Sequence, residues 1–199
     1  MRSEALDAAF YARPVLEVAR DLIGCTLNHA GCGGVIVETE AYHESEAACH
    51  AHIGLTARTH VLFAPPGRAY VYRSYGIHAL LNAVAEPQGV GAAVLIRALE
   101  PTLGIDAMCS RRGRDQVQEL CSGPGKLTQA LGIDLGQNES DLTTGTITIR
   151  PRRRTPRMVA GPRIGITKAA ELPWRFCQAG SRFVSRPWPP GLHATPDAV

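Results

Sequence analysis

Two hydrophobic periodicities run along the chain, one typical of helices and one of strands. From Pro14 to Ile23, apolar residues recur at the spacing of one helical face, and Gly24 ends the pattern. A second helix is predicted over Gly125–Leu131, where Gly132 is the stop signal, and Thr102–Ser110 has a weaker helical pattern. We expect these helices to pack at the outside of the domain.

Strands account for most of the remaining pattern. Runs rich in β-branched, aromatic and aliphatic residues predict strands at Cys25–Asn28, Val35–Tyr42, Arg68–Tyr75, His78–Ala85, Ala92–Leu99, Thr144–Ile149 and Arg163–Thr167. The Gly-rich stretch His29–Gly34 is expected to join the first two as a hairpin, and Gly76 separates the third from the fourth. Most neighbouring strands are therefore antiparallel, which predicts an α+β fold.

Composition agrees with one domain. The chain has 199 residues, of which 45% are hydrophobic and 20% charged, close to the average for a globular domain. We expect a single domain over residues 1–186 and a Pro-rich, disordered tail over 187–199. Without a signal peptide or a long apolar run, a cytoplasmic protein is expected, or a nuclear one from a eukaryotic source. The six cysteines include no C-x-x-C pair, which favours reduced thiols.

Two carboxylates share one face of a predicted strand. The strand period of two places Glu38, Glu40 and Tyr42 together, with Val37 and Ala41 on the opposite face. Because the strand begins with an apolar run typical of a buried position, one of the acids is a candidate general base. The alternative is that both acids pair with arginines at a solvated edge.

Two further segments carry candidate chemistry. Cys49-His50-Ala51-His52 superficially resembles a metal site, but it lacks the second pair of ligands that zinc needs, so a nonmetal role for His50 is favoured. The segment Arg68–Gly76 holds three of the five tyrosines. Tyr70 fits a core position, whereas Tyr75 beside the Gly76 turn is placed to contact a partner, such as a nucleic-acid base.

Arginines suggest an anionic partner. Arg97 stands alone in an apolar strand and must pair with an anion, either internally with Glu38 or Glu100 or with a phosphate. Basic residues are also concentrated in the second half of the chain: Arg111, Arg112, Arg114, Lys126, Arg150, Arg152, Arg153, Arg154, Arg157 and Arg163. This uneven distribution favours a polyanion-binding face.

Taken together, the motifs resemble the alkyladenine (3-methyladenine) DNA glycosylase family. The resemblance extends from about Leu16 to Val184 through five motifs in the family's order: Val37-Glu38-Thr39-Glu40-Ala41-Tyr42, Ala48-Cys49-His50-Ala51, Ala69-Tyr70-Val71-Tyr72-Arg73-Ser74-Tyr75-Gly76, Leu95-Ile96-Arg97-Ala98-Leu99-Glu100-Pro101 and Leu120-Cys121-Ser122-Gly123-Pro124-Gly125-Lys126-Leu127. It implies a single mixed domain around a curved antiparallel sheet with a protruding β-hairpin.

The resemblance also implies a role for each site residue. Glu40 would be the general base, and the pocket around a flipped base would be lined by Tyr42, His50 and Tyr72 and gated by Asn82. For DNA contact, Tyr75 would be the wedge that fills the duplex gap, Arg97 would hold a backbone phosphate, and Lys126 would belong to the same DNA-binding set.

The implied reaction is hydrolysis of the N-glycosidic bond of an alkylated or deaminated purine in duplex DNA, without strand cleavage and without a cofactor or metal. A monomer is expected to act on double-stranded DNA that carries a damaged purine. Two other functions stay open. One is a metal-dependent hydrolase that uses Glu38, Glu40, His50 and His52, and the other is a noncatalytic DNA-binding module.

Overall fold

In the computed structural model, which describes residues 5–193, eight strands form one curled antiparallel sheet. The strands are β1 (Thr26–His29), β2 (Cys32–His43), β3 (Ala69–Ser74), β4 (His78–Val84), β5 (Ala92–Leu103), β6 (Thr148–Arg150), β7 (Met158–Gly161) and β8 (Arg175–Gln178). Their spatial order is β3-β4-β5-β2-β1-β6, and β8 pairs with both β2 and β7. The predicted α+β class and the curved sheet are confirmed.

Short helices surround this sheet. The α-helices are α1 (Ala8–Tyr11), α2 (Val15–Leu22), α3 (Ile105–Arg112), α4 (Val117–Leu120) and α5 (Pro124–Leu131), and the 3₁₀ helices are His50–Ile53, His60–Phe63 and Leu135–Gln137. The predicted apolar face of α2 is confirmed, because its Val15, Val18, Ala19 and Leu22 are all buried. No helix within residues 5–193 is long and apolar enough to span a bilayer.

Of three apolar clusters in the described residues, the two larger ones pack against the sheet. The larger one joins α2, α3 and α5 to one face of the sheet, with Leu22, Ile96 and Leu127 among its fully buried members. A smaller cluster includes Leu62, Tyr70 and residues of the first two 3₁₀ helices, and it supports the aromatic side of the molecule. β2 and β5 lie in the centre of the sheet, and most of their side chains on both faces are buried.

The first hairpin is tighter than its sequence suggested. The strands pair as far as His29 and Cys32, which leaves a two-residue turn at Ala30 and Gly31 with φ of 48° and 75°. Positive φ at both turn residues matches the right-handed twist of the strands. Gly33 lies within β2, and glycine is needed at this position because a Cβ would lie 2.3 Å from the Asn28 side chain.

Several predicted element bounds were wrong in the second half of the chain. Residues 102–103 extend β5, so α3 begins only at Ile105. Arg163–Thr167 forms no strand, since its Ile164 N–H binds a side chain instead of a neighbouring strand. The strands in this region are β7 and β8, which the pattern did not predict.

The C-terminal segment continues the domain at residues 187–193, where the sequence suggested a disordered tail. Leu192 is buried beside Val37 and Val184, and the Trp188 indole N–H donates to the Val184 carbonyl at 3.2 Å. The rest of the expected tail, residues 194–199, lies outside the described residues. All six cysteines are free thiols, as expected.

Candidate active site

A cavity of about 700 Å³ opens beside the β3–β4 hairpin. The first 3₁₀ helix, β5, the start of α5 and the loop 164–166 complete its walls. Seven of the eight predicted site residues line it: Tyr42, His50, Tyr72, Tyr75, Asn82, Arg97 and Lys126. The eighth, Glu40, lies directly behind the floor, because the three groups that hydrogen-bond to it, on Tyr42, Arg97 and Ile164, belong to residues that line the cavity.

Irregular strand pairing brings the charged side chains of the site together. The register between β2 and β5 shifts on both sides of Glu38, so that Val37 of β2 and Arg97 of β5 lie opposite no partner residue. Such bulges redirect side chains, and they are common beside active sites. Here they allow the Arg97 guanidinium to reach both Glu38 and Glu40 from the neighbouring strand.

The Glu40 carboxylate is fully buried and has donors on both oxygens. Its Oε2 accepts hydrogen bonds from the Tyr42 hydroxyl at 2.8 Å and the Arg97 Nη1 at 3.1 Å, and its Oε1 accepts one from the Ile164 N–H at 2.7 Å. Burial raises the pKa of Glu40, and these three donors offset part of the rise. A carboxylate with a raised pKa is a stronger base than an exposed one.

Glu38, the other candidate base, has a different environment. Its side chain is fully buried and accepts hydrogen bonds from Arg97, from Arg175 and from both the N–H and the hydroxyl of Ser185. The alternative that both acids lie at a solvated edge was therefore wrong, although both do pair with arginine. Glu38 also differs from Glu40 in position, because Arg175 and Ser185, which bind it, do not line the cavity.

Arg97 is held inside the protein. Its side chain is 7% exposed, and its Nε donates to Glu38 at 3.0 Å while its Nη1 donates to Glu40. Its Nη2 is 3.4 Å from the Ser185 hydroxyl. These contacts favour the internal pair over the phosphate contact, the two partners that the sequence left open for Arg97, because its charge is already balanced by two buried carboxylates.

The cavity wall is aromatic. Tyr70 and Tyr72 stack with centroids 5.3 Å apart, and the His50 ring meets Tyr72 edge-on at 4.7 Å. His50 Nδ1 shares a hydrogen bond of 3.0 Å with the Tyr70 hydroxyl, and Asn82 Nδ2 donates to the Tyr70 carbonyl at 3.1 Å. Burial, assisted by the Arg58 charge, lowers the pKa of His50, so its ring is neutral at neutral pH. A planar, partly polar slot of this kind fits a heterocyclic base.

Tyr75 lies at the tip of the β3–β4 hairpin, as predicted. It is 88% exposed and has a φ of 49°, and Gly76 follows with a φ of 73°. A left-handed conformation is uncommon for tyrosine, and strain of this type is concentrated at functional sites. Lys126 lies on α5 at the rim, where its Nζ is 3.4 Å from the Ser122 hydroxyl.

The four side chains proposed for a metal-dependent hydrolase do not converge. Glu38 and Glu40 bind Arg97, His50 contacts Tyr70, and His52 is exposed with its Nδ1 against the Glu44 carbonyl. Within residues 5–193, no group of three or more His, Cys, Asp or Glu side chains is arranged to hold a metal ion.

Sequence reasoning missed two groups at this site. Ile164, which binds Glu40 through its backbone, lies in a segment that the pattern assigned to a strand. Arg58 lines the cavity 5.7 Å from the Tyr72 ring centroid, although it was assigned no role. No local pattern marks either residue, because both contacts join segments that are distant along the chain.

Known proteins match nearly the whole chain. Residues 9–182 match the family described as methylpurine-DNA glycosylase. Curated relatives carry the name "Putative 3-methyladenine DNA glycosylase". One from Rhodopseudomonas palustris is 58% identical over 180 residues, covering 90% of this chain and 87% of the relative. One from Bradyrhizobium diazoefficiens is 56% identical over 184 residues, covering 92% of each chain.

A relative from Methanoculleus marisnigri shares the same name and is 49% identical over 189 residues, covering 91% of this chain and 98% of its own. Identity at this level over almost full length decides the family and favours the enzyme over a noncatalytic module. The resemblance carried by the five motifs is confirmed, and the chain belongs to the methylpurine-DNA glycosylase family of DNA-repair enzymes.

Proposed function

We propose that this enzyme removes alkylated and deaminated purines, of the 3-methyladenine, 7-methylguanine, hypoxanthine and ethenoadenine type, from double-stranded DNA. The observation that carries the proposal is the position of Glu40. Its buried carboxylate hydrogen-bonds to residues that line an aromatic cavity, and the exposed Tyr75 lines the same cavity. The cavity wall supports this substrate class in two ways. The alkylated purines 3-methyladenine and 7-methylguanine are cationic in DNA and gain cation–π attraction between Tyr42, His50 and Tyr72. The neutral hypoxanthine and ethenoadenine gain only stacking on the same rings.

Flipping comes first, because the bond to be broken is inaccessible within the duplex. Unstacking and unpairing one nucleotide cost a few kcal/mol, and a side chain that fills the gap offsets part of that cost. Tyr75 is the group for this role, as it is exposed at the hairpin tip and lines the outer part of the cavity. Asn82 lines the same cavity, where its side-chain amide donates to the Tyr70 carbonyl, and we assign it the role of gate.

Hydrolysis then needs a water and a base. Water attacks the anomeric carbon as the glycosidic bond breaks, Glu40 takes its proton, and the bonding electrons leave with the purine, which yields an abasic site. These electrons neutralise a cationic purine, whereas a neutral purine leaves as an anion and takes up a proton from solvent. The Glu40 carboxylate also stabilises the positive charge that develops on the sugar. Lys126 donates to Ser122 at the rim instead of approaching the floor, which supports base removal without a Schiff base or strand cleavage.

All these groups come from one chain, so we infer that a monomer performs the reaction. The test is release of free base from duplexes that contain 3-methyladenine, 7-methylguanine, hypoxanthine or ethenoadenine at one position, measured in parallel with and without EDTA. We expect base release, with strand breaks only after alkali treatment. No release from any of these duplexes would refute the proposed function, and loss of release only with EDTA would revive the metal-dependent alternative.

A further inference from the structure

The loop that supplies the Ile164 N–H to Glu40 has no strand pairing of its own. It follows β7 and includes Arg163 and the positive-φ Gly165, outside every strand of the sheet. A loop free of ladder hydrogen bonds would let the Ile164 donor move away from the carboxylate. Something else must therefore fix its position at 2.7 Å from Glu40 Oε1.

Arg163 provides that fixation. Its side chain is fully buried, and Nη1 and Nη2 donate to the two carboxylate oxygens of Glu46 at 2.7 and 3.0 Å. Nη1 also donates to the Ala41 carbonyl at 2.9 Å, and Nη2 to the Ala169 carbonyl at 3.1 Å. One guanidinium thus joins β2, between Glu40 and Tyr42, to both ends of the 163–169 loop.

The same group also lies against an aromatic wall residue. The Arg163 guanidinium carbon is 4.6 Å from the Tyr42 ring centroid and 5.4 Å from that of Trp174. Tyr42 lines the cavity and donates its hydroxyl to Glu40, whereas Arg163 does not line the cavity. Movement of Arg163 would therefore disturb both the Tyr42 ring and the Glu40 carboxylate.

We propose that Arg163, held by Glu46, is a positioning residue for base excision, which fixes Ile164 and Tyr42 around Glu40. This inference rests on the proposed function. A buried ion pair adds little stability compared with apolar side chains of similar shape, so its value lies in geometry. The planar guanidinium group of Arg163 matters most, since lysine carries the same charge but cannot form paired hydrogen bonds or stack on an aromatic ring in the same way.

The central test compares the wild-type enzyme with Arg163→Lys and with the double variant Arg163→Met/Glu46→Leu. The double variant removes both charges, and it therefore avoids the unpaired buried charge that could prevent folding. Arg152→Lys is the matched control, because Arg152 also binds a carboxylate and backbone carbonyls, those of Asp21, Arg20 and Ile23, but hydrogen-bonds to none of the groups around Glu40. Melting temperature, affinity for lesion DNA and single-turnover excision are measured for each.

We expect single-turnover excision to fall roughly 10- to 100-fold in both Arg163 variants, the scale of a small misplacement of reacting groups. Affinity for lesion DNA should stay within about threefold of wild type, and Arg152→Lys should excise at the wild-type rate. A merely structural role would lower the melting temperature and leave the rate of the folded enzyme unchanged.

The pH profile provides a second readout. Arg97 from β5, Tyr42 and Glu38 from β2, and the Ile164 N–H from the loop are the charged and polar groups facing Glu40. Loss of the Ile164 hydrogen bond would raise the Glu40 pKa further, so the acid limb of the rate should move to higher pH. Wild-type rates and pH profiles in folded Arg163 variants would overturn the inference, whereas an inactive wild-type enzyme would refute the proposed function instead.

Discussion

Glu38 and Glu40 are two residues apart on β2 and share Arg97, yet their surroundings give them different capacities. Glu38 is bound by Arg97, Arg175 and Ser185, and its contacts all lie within the folded chain. Each group that holds Glu40 also lines the cavity. In the proposed mechanism Glu40 is therefore the acid that takes a proton from a water in the cavity, while Glu38 binds Arg97 from behind.

The first prediction concerns Glu40→Gln, which should abolish excision while leaving lesion-DNA affinity nearly unchanged. An amide cannot accept the proton, but it keeps the size of the side chain. In the wild-type enzyme, the base must be ionised, and burial raises its pKa above the ordinary 4.5. The single-turnover rate should therefore be lost as the pH falls through that raised value, with a midpoint above 4.5.

Glu38→Gln is the matched control for this experiment. It should lower the melting temperature, because it leaves the buried Arg175 without a carboxylate and Arg97 with Glu40 alone. It should keep a substantial rate in the protein that remains folded. Near wild-type excision by Glu40→Gln, or total loss confined to Glu38→Gln, would move the base to Glu38.

Strand periodicity predicted the face that these acids share, but it could not separate their roles. Glu38, Glu40 and Tyr42 do lie together, as period two requires. Val37 was assigned to the opposite face, and it packs instead with Cys177 and Val184, because the bulge at this position interrupts the alternation. A bulge depends on the partner strand, which a local pattern does not contain.

At the scale of elements, the β3–β4 hairpin combines a buried base with an exposed tip. Tyr70 is 3% exposed and stacks on Tyr72 within the cavity wall, whereas Tyr75 at the turn is 88% exposed. The pairing of Ser74 with His78 leaves a three-residue turn that projects from the sheet. The tip therefore lies outside the core, as the wedge role that we propose for Tyr75 requires.

The second prediction is that Tyr75→Ala slows excision most for lesions that still pair well with the opposite base. Removing the Tyr75 ring lowers the fraction of damaged nucleotides that are flipped out of the duplex. The effect should be smaller opposite a mismatch, because unstacking costs less there. Stability should change by no more than about 0.5 kcal/mol, as for other exposed substitutions. Thermal unfolding and excision of hypoxanthine in paired and mismatched duplexes check both statements.

Tyr75→Phe is the control for the ring itself, and it should excise at close to the wild-type rate because the stacking surface is kept. Equal loss of rate for Tyr75→Ala in both duplexes would exclude the wedge. So would a fall in stability of about 3–5 kcal/mol, the cost of removing a core aromatic.

Elements with strong local signals were the ones that sequence could predict. The apolar stripe of α2 and the turn at Gly76 depend on neighbouring residues only, and both were found. The strands β7 and β8 have only four residues each and exist because they pair with each other and with β2. Their pairing is decided by tertiary contacts, so composition could not reveal it.

For the whole molecule, the active site is assembled from segments far apart along the chain. Glu40 receives hydrogen bonds from residue 97 on β5 and residue 164 on a loop, and Glu38 from residues 175 and 185. The sequence motifs predicted Glu40, Tyr42, His50 and Tyr72 as site residues. The supporting contacts could not be predicted, because they depend on how the sheet brings its strands together.

The last prediction concerns the charge that binds DNA. A protein that neutralises phosphates with exposed cations loses affinity as salt rises, by about 0.9 logarithmic units per contact for each tenfold change in salt. We expect the affinity of this enzyme for duplex DNA to fall steeply as salt rises. Lys126→Ala should reduce the slope by about one contact, since Lys126 is exposed at the cavity rim.

Arg97 should behave differently, since its guanidinium is balanced by Glu38 and Glu40 and is 7% exposed. We compare Glu40→Gln with Glu40→Gln/Arg97→Met. In this background Arg97→Met leaves no unpaired charge at residue 40, and the DNA is not consumed because excision does not occur. Affinity for lesion DNA is measured at several salt concentrations for both proteins. An unchanged slope agrees with an internal ion pair, whereas a fall equal to that of Lys126→Ala would restore the phosphate contact that the sequence suggested.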